Sequence, residues 1–230
     1  MQPSAATQHI PRGAAYVVVA ALLFALAPAV ARSAAQDINI LVLVFLSNVW
    51  MFVLMCLWVW VRSPIGGLGT SKLWMHFLRS ILTYGSIVTY FFAVTHIPFA
   101  HAVILQSTGP LFVPVLAWLI FRRLSDRYVW LGVLVSFVGV TLIVRPDAVG
   151  ISVGEASALL AALGGAGAAL VIWSLGTTEP PDRQMFYFAL FALLLSTLPL
   201  PWVWQWPTVH QTVKALFIAA LSSPISMGHL

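Results

Sequence analysis

The chemistry open to this chain is narrow. No His-Glu-x-x-His or Gly-x-Ser-x-Gly motif occurs, and no two carboxylates share one apolar stretch, so hydrolytic and metal-assisted catalysis lack their groups. His96 and His101 stand five apart across a turn with no third ligand nearby, a poor match to the usual metal sites. The single cysteine, Cys56, excludes a disulfide framework and a cysteine-based metal site. The expectation is therefore no enzyme, no metal and no cofactor. What the sequence does carry is polarity inside apolar surroundings. Between residues 73 and 94, His76, Arg79, Thr83, Ser86 and Tyr90 recur at spacings of three, four, three and four. That spacing sets all five on one face of a helix with about 3.6 residues per turn, with Phe77, Ile81, Leu82 and Val88 elsewhere on it. Such a stripe suits the wall of an aqueous cavity. The plainer alternative has the hydroxyls bonding neighbouring helices and Arg79 snorkelling to a surface about 9 Å along the helix. A second polar run, Gln106-Ser107-Thr108-Gly109-Pro110, is followed by Pro114. Pro110 has no N–H to offer the carbonyl of Gln106, and Gln106, Pro110 and Pro114 fall four apart, roughly on one face. Irregular backbone at membrane depth survives only where protein or cavity water satisfies it, so this run reads as a substrate contact, a hinge or a packing kink.

The elements that position these groups follow from composition. Of 230 residues, 61% are apolar and 7% charged, against roughly 25% charged in an ordinary soluble domain. That balance excludes a soluble enzyme and a disordered chain. The net charge of +5 comes from 11 basic residues scattered along the length, without a patch to grip phosphates, so no nucleic-acid partner is expected. A helix needs about 20 apolar residues to cross a bilayer core. Eight stretches qualify: about 13–31, 38–61, 73–94, 99–121, 128–144, 155–175, 185–204 and 213–230. They are too long for barrel strands and show no alternation, which predicts an all-α, polytopic membrane helix bundle. The turn Thr95-His96-Ile97-Pro98 makes the third and fourth spans antiparallel neighbours. An uncleaved first helix is favoured over a signal peptide at 12–31, because its apolar stretch exceeds the usual 7–15 residues and further spans follow. With the N-terminal segment 1–12 inside, Arg12, Arg62, Lys72, Arg122, Arg123, Arg127 and Arg183 face the cytoplasm, against Arg32, Arg145 and Lys214 outside. Small-residue seams are expected at Gly132, Ser136 and Gly139 and at Ala161, Gly165 and Ala169. Every Asp and Glu falls in a connection or at a span's start, so the usual carboxylate of a proton relay is missing and no coupling ion can be read.

From Arg79 to Pro146 the sequence takes on a familiar form. It contains Arg79, then Tyr90-Phe91-Phe92-Ala93-Val94 and Ile97-Pro98-Phe99-Ala100-His101-Ala102. Thr108-Gly109-Pro110-Leu111-Phe112-Val113, Leu124-Ser125, Trp130-Leu131-Gly132, Gly139-Val140 and Arg145-Pro146 follow. This resembles the EamA-type half of the drug/metabolite transporter superfamily. One element departs: the family's Gly-Glu-Arg after the fourth helix is Phe121-Arg122-Arg123 here, without the Glu. The resemblance implies two inverted five-helix repeats with substrate bound centrally between them, a first repeat at 13–146 and an incomplete second at 155–230, about eight of ten helices. It further implies a multi-pass protein of a bacterial inner membrane that moves a small organic metabolite or drug by alternating access. Lipid and a small-molecule substrate are the expected partners, with a homodimer left open. His76, Arg79, Thr83, Ser86, Tyr90, Gln106 and Pro110 are the expected substrate-binding residues, Arg79 as a hook for an anionic group. The other reading is a non-transporting membrane scaffold or an inactive fragment. Substrate, direction and coupling ion are not legible.

Overall fold

The computed structural model describes residues 38–62, 68–122, 126–144 and 151–222. The expected first span and the segment before it lie outside these residues, as does the end of the eighth span. The described residues are helical and joined by short turns, with no strand among them. They are named in chain order α1 (Ile40–Arg62), α2 (Leu73–His96), α3 (Phe99–Gln106), α4 (Gly109–Phe121), α5 (Arg127–Val144), α6 (Val153–Gly176), α7 (Pro181–Thr197), α8 (Leu200–Val203) and α9 (Val209–Ser222). Three single helices and the α3–α4 pair are long and apolar enough to cross a membrane: Ile40–Val61, Leu73–His96, Phe99–Phe121 and Val153–Gly176. The chain is a polytopic helical membrane protein.

The chain divides into two compact units, 1–65 with 196–230, and 66–195. In the first, α9 packs along α1, whose buried face carries Val42, Leu43, Met51, Met55 and Val59. The small Ala215 and Ala219, both fully covered, let α9 approach. Trp204 meets Phe45 edge-on at 6.2 Å, and the Asn39 N–H donates to Gln205 Oε1 at 3.0 Å, fixing the entry to α1. Here sequence and structure differ. The expected span 185–204 ends at Thr197, where Pro199 and Pro201 allow only the short α8 before the chain turns toward α9.

The second unit is organised around α6. Its run Ala161-Ala162-Leu163-Gly164-Gly165-Ala166-Gly167-Ala168 has almost no side-chain bulk, so α2, α3 and α4 all approach closely. A Cβ on Gly164 would lie 3.2 Å from the Leu82 carbonyl and 3.3 Å from Ser86 Cβ, and one on Gly167 3.3 Å from Leu82 Cδ1. Near the other end, Gly154 abuts His96 and Ile97. Rising numbers on α6 thus meet falling numbers on α2, which makes the pair antiparallel. The helix begins with a capping box: Ser152 Oγ accepts from the Glu155 N–H at 3.2 Å, and Glu155 Oε2 accepts from the Ser152 N–H at 2.8 Å. The expected seam is met at Ala161 and Gly165, which lie against Ser86, but not at Ala169, which is exposed; Gly164 and Gly167 widen the contact. On α5, Gly132 and Gly139 have nothing within 4 Å of an added Cβ, so that stripe closes against no described helix.

Candidate functional site

The polar stripe of α2 splits into two groups that meet different neighbours. The first lies near the helix start and faces α7. His76 is fully buried, its ring stacked on Tyr187 with centroids 4.9 Å apart. Arg79 is 5% exposed; its Nη1 donates to the Gln184 carbonyl at 3.1 Å, and Nη2 reaches Met185 Sδ at 3.8 Å. The guanidinium also sits over the Phe188 ring, 4.9 Å from its centroid, a cation–π contact. No carboxylate lies within ion-pair distance of Arg79 among the described residues. Arg79 Nε and both ring nitrogens of His76 have no hydrogen-bond partner among those residues. A buried charge is ordinarily paired, and an unmade hydrogen bond to a buried polar group costs about 1–3 kcal/mol. Arg79 therefore carries its charge with no carboxylate in contact among the described residues, while Glu179 acts electrostatically on the neighbouring His76.

The second group lies further along α2, against α6 and α3. Ser86 Oγ donates to the Ala161 carbonyl at 2.6 Å, a bond between helices of a kind worth about 1 kcal/mol in membranes. Thr83 is half-buried between the two groups. Tyr90 is half-buried on an apolar cluster of Ala93, Ala102, Leu105 and Ala158, which joins α2 to α3 and α6. Next to Leu105 the fourth span is distorted. Pro110 cannot donate, α3 ends at Gln106, and Ser107 and Thr108 turn their hydroxyls back onto the carbonyls of Val103 and Leu105 at 2.7 and 2.6 Å. The proline run therefore distorts the span at Ser107 and Thr108, whose backbone stays right-handed, with Gln106 half-buried beside it. Pro110 is exposed and lines an apolar groove of about 590 Å³ between α4 and α5, together with Pro114, Gly132 and Ser136. The structure brings His76 and Arg79 together on α7. Ser86 and Tyr90 lie along α6, and Pro110 borders a groove that none of the other six lines.

Sequence reasoning left out the groups that hold α7 in place. Glu179, in the connection between α6 and α7, is buried although no apolar stretch contains it. Its Oε1 accepts from Thr70 Oγ1 at 2.8 Å, and its Oε2 pairs with Arg183 Nη1 at 2.7 Å. Gln184 Nε2 donates to the Glu179 carbonyl at 2.9 Å, Lys72 Nζ to Thr178 Oγ1 at 2.8 Å, and Tyr187 Oη to the Leu68 carbonyl at 3.0 Å. Burial alone would raise the Glu179 carboxyl; the hydrogen bonds from Arg183 and Thr70 and the positive charge of Arg183 outweigh it and hold the group below its ordinary value. The signal available was local: an acid just before Pro180-Pro181, four residues ahead of Arg183.

The EamA-like transporter family model matches residues 11–145. The chain is also similar to a protein named Pseudopaline exporter CntI of Pseudomonas aeruginosa, in strains UCBPP-PA14 and PAO1. Identity is 28% over 191 residues, which cover 83% of this chain and 66% of the relative. The chain thus spans just under two thirds of the length of that relative. With the family model matched over more than half of its residues, this chain belongs to the EamA-like transporter family.

Proposed function

We propose that this chain forms the greater part of a permease that moves a small organic molecule across a bacterial inner membrane by alternating access, N-terminus in the cytoplasm. Export is the direction suggested by the name of the Pseudomonas relative. The arrangement is two inverted five-helix repeats, the first at 13–146 and the second begun at 155–230. Inverted repeats with broken helices commonly place substrate near the midplane, and the distortion at Gln106–Pro110 marks such a point. One observation carries the substrate class: Arg79, buried, bound to a carbonyl and a thioether, with no carboxylate within ion-pair distance among the described residues. It is suited to the anionic group of a substrate, with His76 beside it and Thr83, Ser86, Tyr90, Gln106 and Pro110 along the path.

The test is transport by the full-length protein in cells and in vesicles. Arg79→Gln keeps a polar, hydrogen-bonding side chain but is shorter and removes the charge, and should lower transport of an anionic substrate at least tenfold, mainly by weakening binding. Tyr90→Ala and Gln106→Ala should each lower it severalfold. Normal transport by all three variants at normal membrane abundance would remove these residues from the path.

A further inference from the structure

The polar contacts around Glu179 join two connections that are 109 residues apart in sequence. On one side stand Leu68, Thr70 and Lys72, immediately before α2; on the other stand Thr178, Glu179 and Tyr187, around the start of α7. Such a cluster has the composition of a surface that can separate and re-form. Its hydrogen bonds and one ion pair are replaceable by water once the turn opens, and they lie beside the ring contacts of His76 with Tyr187 and of Phe77 with Phe191. The cluster also reaches Arg79. Glu179 holds Gln184 through its carbonyl, and Gln184 in turn accepts from Arg79. The turn, the start of α7 and the buried guanidinium are thereby connected.

We propose that these contacts form the gate at this end of the transporter, and that its opening frees Arg79 from α7 for substrate. With the gate shut, the Gln184 carbonyl and Met185 occupy the guanidinium, and Tyr187 covers His76. When Glu179 releases Thr70 and the start of α7 swings away from the start of α2, those donors become open to an anion entering from that side. A substrate anion and the Gln184 carbonyl compete for the same donors, so substrate binding and gate closure oppose each other until the opposite side opens. This rests on the transport reading above and adds the moving part.

The experiment reads accessibility and does not depend on knowing the substrate. In full-length protein with Cys56→Ala, Ser80→Cys places a thiol at a fully buried position one turn beyond His76. A membrane-impermeant maleimide is applied to intact cells and to inverted vesicles. The parent should label slowly; Glu179→Ala, and separately Thr70→Val, which leaves both charges in place, should raise the labelling rate at least fivefold from one side only. In a further arm Thr70→Cys and Glu179→Cys are joined by a short bifunctional thiol reagent and labelling is read at position 80 alone, by the mass of its peptide; it should be fast before cross-linking and slow after it. Unchanged labelling from both sides in both gate variants, at normal membrane abundance, would overturn the gate even if transport is confirmed. Labelling that rises as expected without any measurable transport would instead strike at the transport reading.

Discussion

At the residue scale, the separation of buried charge from its counter-charge is the central feature. Arg79 was legible in the sequence because a lone arginine at helical register with four other polar residues stands out from apolar neighbours. Glu179 was not legible, because an acid in a connection looks solvated, and only the fold shows Thr70 and Arg183 closing over it. The consequence is a pH dependence with a definite sign. A carboxyl held below its ordinary value by hydrogen bonds contributes stability that is present above the unfolded value and lost as pH falls through the folded one. The Glu179 contacts should therefore persist from neutral pH down past the usual glutamate range, near pH 4, and loosen only in stronger acid. In Glu179→Gln the ion pair is absent at every pH. Tm measured in detergent between pH 3 and 7 should then be lower than the parent's at neutral pH, and the difference should shrink on acidification. A constant difference across that range would mean that Glu179 stabilises by shape alone.

At the element scale, contact between helices is governed by small residues whose neighbours periodicity cannot name. Four of the spans and the weak point at Pro110 could be read from hydropathy and proline chemistry. Which face of each helix meets protein could not, since lipid and protein interiors are equally apolar and both faces carry the same residue types. The seam on α6 thus held at Ala161 and Gly165 but missed Gly164 and Gly167, and Gly132 and Ser136 on α5 line an open groove against α4 instead of a close approach. Two glycines separate packing from propensity. Gly164 faces the Leu82 carbonyl, which cannot step aside without unwinding α2, so Gly164→Val should destabilise by roughly 1–3 kcal/mol through overpacking. Gly85 is exposed in the middle of α2 with nothing within 4 Å, so Gly85→Ala should be neutral or gain up to about 1 kcal/mol from helix propensity. Thermal unfolding of the two variants in detergent checks the contrast. Equal effects would show that α2 and α6 do not hold their close approach in the membrane.

At the scale of the whole molecule, the contacts of Glu179 count the membrane crossings. Thr70 and Glu179 touch, so the connections before α2 and before α7 lie at the same membrane face. The chain between them must cross an even number of times. Three crossings are secure from length and apolarity: α2, the α3–α4 pair and α6. Three is odd, so α5 must cross as well. At 18 residues it is about 27 Å long, close to a bilayer core of about 30 Å, and its exposed Leu131, Leu134, Val135 and Val138 present an apolar surface to lipid. The charge pattern then assigns the sides. The face shared by these two connections carries Lys72 and Arg183, and after two crossings the chain returns to it with Arg122, Arg123 and Arg127. On the positive-inside rule that basic excess predicts the cytoplasmic side for this face. Single-cysteine reporters at Thr70, Asp126 and Thr177 should all label from the cytoplasmic side, and reporters at Ile97 and Ile151 only from the other. Labelling of Asp126 and Thr177 from opposite sides would break the parity and remove α5 from the membrane. Labelling of every reporter from the reverse side would preserve the fold and invert its direction, placing the proposed Glu179 gate at the outer mouth.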